Sequence, residues 1–66
     1  MIIQVNGEAK EIPEGWTVET LINDLGGDRR TVAVEFNRRI LATEAYSKTP
    51  LSPADRLEIV HFVQGG

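Results

Sequence analysis

The first residues of the chain alternate between apolar and polar side chains with the short period of β-strands. The stretches "IIQV" (2–5) and "AKEI" (9–12) are separated by the dipeptide Asn6-Gly7. This dipeptide accepts the positive φ angles that a tight hairpin turn requires. The pattern predicts that a β-hairpin opens the fold.

A helical period follows the hairpin. Apolar residues now recur at intervals of three and four and would share one stripe of an α-helix: Val18, Leu21, Ile22 and Leu25. Thr17 is suited to cap the start of this helix, and Gly26 offers the left-handed residue that ends many helices. Trp16 and Leu21 are spaced for a hydrophobic staple. We predict one helix of about two turns, with its apolar stripe facing a sheet.

Strand signals return in the second half of the chain. "TVAVEF" (31–36) alternates as a strand with one buried face does, "NRR" (37–39) is typical of a turn, and "IL" (40–41) is a short returning strand. "LEIVHFV" (57–63) is the last predicted strand. Two sets of side chains would occupy its opposite faces: Leu57, Ile59 and His61 on the buried face, and Glu58, Val60 and Phe62 on the other.

The segment between these strands is predicted to be irregular. Residues 42–55 contain Pro50 and Pro53, which block regular ladders of hydrogen bonds. The stretch 52–55, Ser-Pro-Ala-Asp, suits a type I turn with proline at its second position.

The order of elements indicates an α+β fold: a mixed sheet of four to five strands crossed by one main helix. When strands stand at both ends of such a chain, the first and last commonly lie side by side in the centre, an arrangement called the β-grasp. We expect residues 1–66 to form one domain, because a chain this short can bury only one core.

Composition narrows the possible chemistry. The chain has no cysteine, so it cannot form a disulfide or use a thiolate nucleophile, and His61 is its only histidine, which argues against a metal site. The net charge of −3 argues against nucleic acid as a partner. No apolar run is long enough to span a membrane, and the first residues do not resemble a secretory signal, so we expect a cytoplasmic protein.

No catalytic residue is expected. The sequence has neither a phosphate-binding glycine loop nor a plausible Ser/His/Asp set. We interpret His61 as a partly buried structural imidazole rather than a catalytic one, and Trp16 as part of the core rather than a ligand platform. The glutamates of the first half are interpreted as a solvated surface: Glu8, Glu11, Glu14 and Glu19.

The last residues are the exception. We expect Val63 to be the last residue held by the sheet, so that the tail Gln64-Gly65-Gly66 projects about 10 Å. Two terminal glycines would carry the α-carboxylate on an arm with no side-chain bulk. The alternative is an idle, frayed terminus.

These same residues resemble a known family. The chain resembles the ThiS-type sulfur carrier proteins of thiamine biosynthesis, which belong to the ubiquitin-like β-grasp superfamily. The segments that carry the resemblance are the "VNGE" hairpin, the "TVETLINDL" helix, "VAVEFNRRIL" with its Asn37 turn, "DRLEIV" (55–60) and the final Gly65-Gly66. The likeness covers the whole chain. One departure is Ala54, where many relatives have glycine, and we interpret it as a type I turn that needs no positive φ.

The resemblance implies a mechanism. An E1-like adenylating enzyme of the ThiF type would adenylate the carboxylate of Gly66. Sulfur from cysteine, supplied by a cysteine desulfurase or sulfurtransferase, would then replace AMP and leave a thiocarboxylate (1-thioglycine). A thiazole synthase of the ThiG type would consume that sulfur. The chain itself would be a recyclable cosubstrate, not an enzyme, with no bound cofactor.

The resemblance and the strand pattern together suggest where partners bind. Val60 and Phe62 would form an exposed apolar patch beside the root of the tail, continued by Val63 and Gln64. The alternative is that Phe62 is buried under the segment "ATEAYSKTPL" (42–51). We expect the free protein to be a monomer.

Three other functions stay open at this point. A sulfur carrier for molybdopterin or cysteine synthesis would share the chemistry of the tail. A ubiquitin-like protein modifier would end as an amide on a lysine of its target. A β-grasp RNA-binding module would need a basic face, which the net charge does not favour.

Overall fold

The computed structural model describes residues 1–62, which form a five-stranded mixed sheet with one α-helix packed on one face. The strands are β1 (Ile2–Val5), β2 (Glu8–Glu11), β3 (Val32–Phe36), β4 (Arg39–Ile40) and β5 (Arg56–His61), and the helix α1 spans Val18–Asp24. The sheet order is β2-β1-β5-β3-β4, with β1 and β5 parallel and the other neighbours antiparallel. The first and last strands therefore lie side by side in the centre, as predicted for a β-grasp.

The predicted hairpin and helix are confirmed. The turn between β1 and β2 has positive φ at both Asn6 (52°) and Gly7 (81°). Thr17 caps α1: its hydroxyl accepts from the backbone N–H of Thr20 at 3.2 Å, and the Thr20 hydroxyl accepts from the N–H of Thr17 at 3.4 Å. Gly26 has the left-handed conformation that ends the helix (φ 86°).

One hydrophobic core lies between the sheet and α1. The inward residues of β1, β3 and β5 alternate with exposed ones, so that each strand contributes one face. The core consists of Ile3, Val5, Ile12, Val18, Leu21, Ile22, Val32, Val34, Tyr46, Leu51, Leu57 and Ile59, and the partly buried Trp16 packs against it, as predicted.

The segment predicted to be irregular contains a short helix. Residues Thr43–Lys48 form the 3₁₀-helix η1, and the side chain of Tyr46 is buried in the core. The chain after η1 pairs with the start of α1, where the N–H of Val18 donates to the carbonyl of Thr49 at 3.0 Å. The prediction failed because this helix is stabilised by burying one tyrosine against α1, and no apolar period within the segment signals it.

The turn before β5 also differs from the prediction. Ala54 has a φ of 71°, and the N–H of Asp55 donates to the carbonyl of Ser52 at 3.1 Å. Proline at the second position and a left-handed third residue define a type II turn rather than the predicted type I. The left-handed conformation of Ala54 therefore carries a steric strain energy that glycine would avoid.

We expect Ala54→Gly to raise the free energy of unfolding by about 0.5–1 kcal/mol, because relief of the left-handed conformation outweighs the added entropy of the unfolded chain. Urea denaturation measures this change. Ala9→Gly is the matched control: Ala9 is an exposed residue inside β2 and is not among the residues with positive φ, so there the substitution should destabilise. A lower stability of the Ala54→Gly protein would contradict the assigned strain.

Candidate functional site

The last strand, β5, has two different faces, and Phe62 follows it directly. Leu57 and Ile59 are buried in the core at 1% and 4% exposure, whereas Val60 and Phe62 are 59% and 53% exposed. This is the predicted alternation, and it contradicts the alternative in which Phe62 is buried under residues 42–51. Two large apolar side chains thus face solvent immediately before the tail.

Residues Val63, Gln64, Gly65 and Gly66 lie outside the described residues. The predictions that Val63 ends the strand, that Val63 and Gln64 contact partners, and that Gly65 and Gly66 carry the reactive carboxylate therefore stay predictions. The structure describes the strand β5 and Phe62, which precede these four residues in the chain.

Asn6 joins the hairpin turn to β5. Its side-chain Oδ1 accepts from the N–H of Ile59 at 2.7 Å, and its Nδ2 donates to the carbonyl of the same residue at 3.1 Å. The parallel pairing of β1 with β5 ends at Val5 and Leu57, because the chain turns away at Asn6. The side-chain amide of Asn6 takes the place of the next peptide unit of β1, so that β5 is hydrogen-bonded on this side as far as Ile59.

Asn37 holds the other end of β5 in a similar way. Its Oδ1 accepts from the N–H of Arg56 at 2.9 Å, its backbone N–H donates to the Arg56 carbonyl at 2.8 Å, and its Nδ2 donates to Asp55 at 3.1 Å. Like Asn6, it has a positive φ (49°), which asparagine tolerates better than most residues. The sequence predicted a turn at each asparagine but carried no signal of their contacts with β5.

His61 is more exposed than predicted. It points toward the helix-bearing side of the sheet, but its side chain is exposed rather than partly buried. The reason is that α1 ends at Asp24 and the chain passes beneath the imidazole at Gly27, which has no side chain to cover it. A Cβ at Gly27 would lie 3.1 Å from Cε1 of His61. The imidazole therefore lies on glycine backbone with its other side open to water.

The outer face of the sheet, opposite α1, extends the exposed surface beyond β5. Ala33 of β3 lies directly opposite Val60, and Ile40 of β4 lies opposite Glu35 with its side chain 88% exposed. We call Ala33, Ile40, Val60 and Phe62 the outer-face patch. Contiguous exposed apolar residues of this kind commonly mark sites of protein contact.

The described part of the chain holds little that points to catalysis. Within residues 1–62, no three His, Asp or Glu side chains are grouped as metal ligands are. Among the same residues, no helix is both long and apolar enough to span a bilayer.

Comparison with known proteins assigns the family. The model of the ThiS family matches residues 3–66. The sulfur carrier protein ThiS of Bacillus subtilis is 35% identical, over 98% of this chain and 100% of that protein. The thiazole synthase of Paramagnetospirillum magneticum is 41% identical over the whole chain, yet the chain spans only about a fifth (20%) of that protein. The thiazole synthase of Magnetococcus marinus is 38% identical over the whole chain, and the chain again spans only 20% of that protein.

The fold is shared with a solved relative. The crystal structure of the thiamine biosynthesis protein ThiS from Geobacter metallireducens superposes with a TM-score of 0.82 at 30% identity, and the match covers 100% of both chains. Three findings point to the same family: the β-grasp order of the strands, the family match that extends through Gly66, and the similarity to a curated sulfur carrier. This chain is a member of the ThiS family.

Proposed function

We propose that this protein is a sulfur carrier of thiamine biosynthesis and that it carries sulfur as a thiocarboxylate on Gly66. The observation that carries the proposal is the family match, which runs through the terminal Gly65-Gly66 and includes a curated sulfur carrier of the same extent. The absence of cysteine from the sequence supports it, because no side chain can hold a persulfide. Sulfur must then be held elsewhere, and the main-chain carboxylate is the available group.

The proposed reaction begins with activation of the Gly66 carboxylate. A free carboxylate is a poor electrophile, so an adenylating enzyme of the ThiF type transfers AMP from ATP to it and releases pyrophosphate. A persulfide that a desulfurase or sulfurtransferase forms with sulfur from cysteine then displaces AMP and leaves an acyl disulfide, and a thiol reductant cleaves the S–S bond of that intermediate. The thiocarboxylate is the product, and the chain contributes no catalytic side chain.

The proposed consumer of this sulfur is a thiazole synthase of the ThiG type. Two thiazole synthases each contain a segment similar to this entire chain, which supports a functional association between the two kinds of protein. After donation, Gly66 returns to a carboxylate, so the protein acts as a cosubstrate that is used repeatedly.

The outer-face patch is the proposed docking surface for these partners, continued by Val63 and Gln64. Val60 is exposed on β5 and Phe62 is exposed directly after it, while Asn6 holds the backbone of β5 at Ile59. A partner that covers the patch would receive the tail at a defined starting point. Docking of this kind lowers the entropic cost of placing the carboxylate in a catalytic cleft.

Intact mass spectrometry tests the proposal. The protein is incubated with ATP, cysteine, a cysteine desulfurase, a thiol reductant and the ThiF-type enzyme, and replacement of one oxygen by sulfur should add about 16 Da. Oxidation of Met1, the only methionine, would add nearly the same mass, so fragmentation must locate the change at Gly66. Without ATP the gain should not occur. A protein that gains no sulfur with all components present would refute the proposal.

We expect Phe62→Asp to weaken binding to the adenylating enzyme by at least about tenfold, because a desolvated carboxylate would replace an apolar contact. The fold should remain intact, since Phe62 is 53% exposed. Isothermal titration calorimetry measures the affinity, and circular dichroism monitors the fold.

Ile2→Asp is the matched control for this variant. Ile2 is 57% exposed on the same sheet face, but it lies at the far end of β1 from the tail. Binding that is weakened equally by both substitutions would contradict a docking surface centred on the outer-face patch.

A further inference from the structure

The loop between α1 and β3 contacts the end of β5. The backbone N–H of Phe62 donates to the carbonyl of Thr31, in this loop, at 2.8 Å. On the other side of β5, the hydrogen bonds from Asn6 reach Ile59. Thr31 therefore holds Phe62, the last residue that the structure describes. We call residues 26–31 the support loop.

Hydrogen bonds within the support loop fix its shape. The Thr31 hydroxyl donates to the carbonyl of Asp28 and accepts from the N–H of Asp28, both at 3.0 Å. The N–H of Thr31 donates to the same carbonyl at 3.0 Å, and Oδ1 of Asp28 accepts from the N–H of Arg30 at 2.7 Å. The position of the Thr31 carbonyl therefore depends on the Thr31 hydroxyl.

Gly27 joins the support loop to the core and to His61. Its N–H donates to the carbonyl of Ile22, a buried residue of α1, at 3.0 Å. A Cβ at Gly27 would lie 3.1 Å from Cε1 of His61 and 3.1 Å from Cγ1 of Val32. Carbon atoms in contact are ordinarily about 3.5–4.0 Å apart. Gly27 is not among the residues with positive φ, so the lack of space, not the backbone conformation, requires glycine here.

Two consecutive residues are thus held by one loop, His61 through its imidazole and Phe62 through its backbone N–H. Gly66 lies four residues after Phe62, and four residues span at most about 14 Å. The position of the chain at Phe62 therefore limits where the Gly66 carboxylate can lie when a partner is bound. Displacements of about 1 Å from a reactive geometry can lower a rate 100-fold.

We propose that the support loop is a positioning element: by holding His61 and Phe62, it sets the point from which the last residues reach the cleft of the adenylating enzyme. The inference rests on the proposed function, because it concerns the activation of Gly66. The outer-face patch provides binding, whereas the support loop acts on the rate once the complex has formed. The first contribution is measured in KM and the second in kcat.

Gly27→Ala tests the contact with His61. Initial rates of thiocarboxylate formation are measured by intact mass spectrometry at several concentrations of the carrier. The value of kcat should fall at least about tenfold, because the added methyl group displaces the imidazole and the end of β5. KM for the carrier should stay within about twofold, since the outer-face patch is unchanged. Hydrogen exchange of the Phe62 amide should become at least about fivefold faster.

Two substitutions of Thr31 decide the question if Gly27→Ala does not fold. Thr31→Val keeps the shape of the side chain but removes the hydroxyl and its hydrogen bonds to Asp28. It should lower kcat at least about threefold and make the Phe62 amide exchange faster. Thr31→Ser keeps the hydroxyl and should recover the rate that Thr31→Val loses.

Ile12→Val is the control for a loss of stability alone. Ile12 is buried at the opposite end of the sheet, where its N–H donates to the carbonyl of Met1 at 2.8 Å. Removal of one buried methyl group should lower the melting temperature and leave kcat unchanged. An equal fall of kcat in Ile12→Val would overturn the inference, because lost stability would then explain the effect.

Two other outcomes would also overturn the inference. A raised KM with unchanged kcat would show that the support loop is a partner contact. Unchanged exchange of the Phe62 amide in the folded Gly27 and Thr31 variants would show that the loop does not hold the end of β5. Failure of the proposed function is a separate result, namely that the unsubstituted protein gains no sulfur on Gly66, and hydrogen exchange at Phe62 still tests the loop in that case.

Discussion

Deletion of Gly66 should slow thiocarboxylate formation by at least about 100-fold. The shortened chain still ends in a carboxylate, but that group is withdrawn by about 3.5 Å along the arm. Displacements of even about 1 Å from the reactive geometry can cost 100-fold in rate. Time-resolved intact mass spectrometry under the conditions given above measures the change.

Two further variants separate the length of the arm from its thickness. Addition of one glycine after Gly66 displaces the carboxylate the other way and should cause a comparable loss. Gly65→Ala keeps the length and adds one methyl group, so it tests whether the partner's cleft admits only a bare backbone. Each variant should unfold at the same urea concentration as the unsubstituted protein. Sulfur gain by the deletion variant within tenfold of the normal rate would refute the role of Gly66.

Asn6→Ala should lower the free energy of unfolding by about 2–3 kcal/mol. The substitution leaves the N–H and the carbonyl of Ile59 without their side-chain partners, and it places alanine at a φ of 52°. For a domain of this size, the melting temperature should fall by roughly 10–20 °C. Urea and thermal denaturation measure the loss, and hydrogen exchange of the Ile59 amide should become faster.

Matched variants distinguish the hydrogen bonds of Asn6 from its backbone conformation. Asn6→Gly removes the same hydrogen bonds but relieves the positive φ, so it should cost less than Asn6→Ala. Asn23→Ala removes an exposed asparagine of α1 and should change stability by no more than about 0.5 kcal/mol. An unchanged Asn6→Ala protein would show that the amide does not support β5.

The elements predicted best from the sequence are those whose signals are local. Asn6-Gly7 predicted the hairpin because a tight turn needs positive φ at adjacent residues, and both have it. Thr17 predicted the helix start because a hydroxyl there can satisfy a free N–H within the same turn. The alternation in β5 correctly separated Leu57 and Ile59 from Val60 and Phe62.

The failures share a different cause. Residues 42–55 were predicted to be irregular, yet η1 forms because Tyr46 is buried between distant elements. Ala54 was predicted in a type I turn, but its N–H donates to the carbonyl of Ile2 at 2.9 Å, a contact with the first strand. His61 was predicted to be partly buried, and only the position at which α1 ends explains why the residue is exposed.

Some features of the candidate site could be predicted from the sequence, and others could be seen only in the structure. Gly65, Gly66 and the exposed residues before them can be read directly from the sequence, because a tail and an alternating strand are defined by order along the chain. The support of Ile59 by Asn6 joins residues 53 positions apart, and the pairing of Glu35 with Glu58 depends on the register between β3 and β5. A shift of one residue in that register would place these side chains on opposite faces.

The order of residues by itself thus determined the strands, the helix, the absence of side-chain sulfur chemistry and the family resemblance of the tail. Only the tertiary structure decided which carboxylates face each other, which asparagines hold the last strand and how far His61 is exposed. The physical reason is the separation along the chain over which each kind of interaction acts. Turn, cap and periodicity preferences act over a few neighbouring residues, whereas pairing and burial depend on contacts between segments that are distant in the chain.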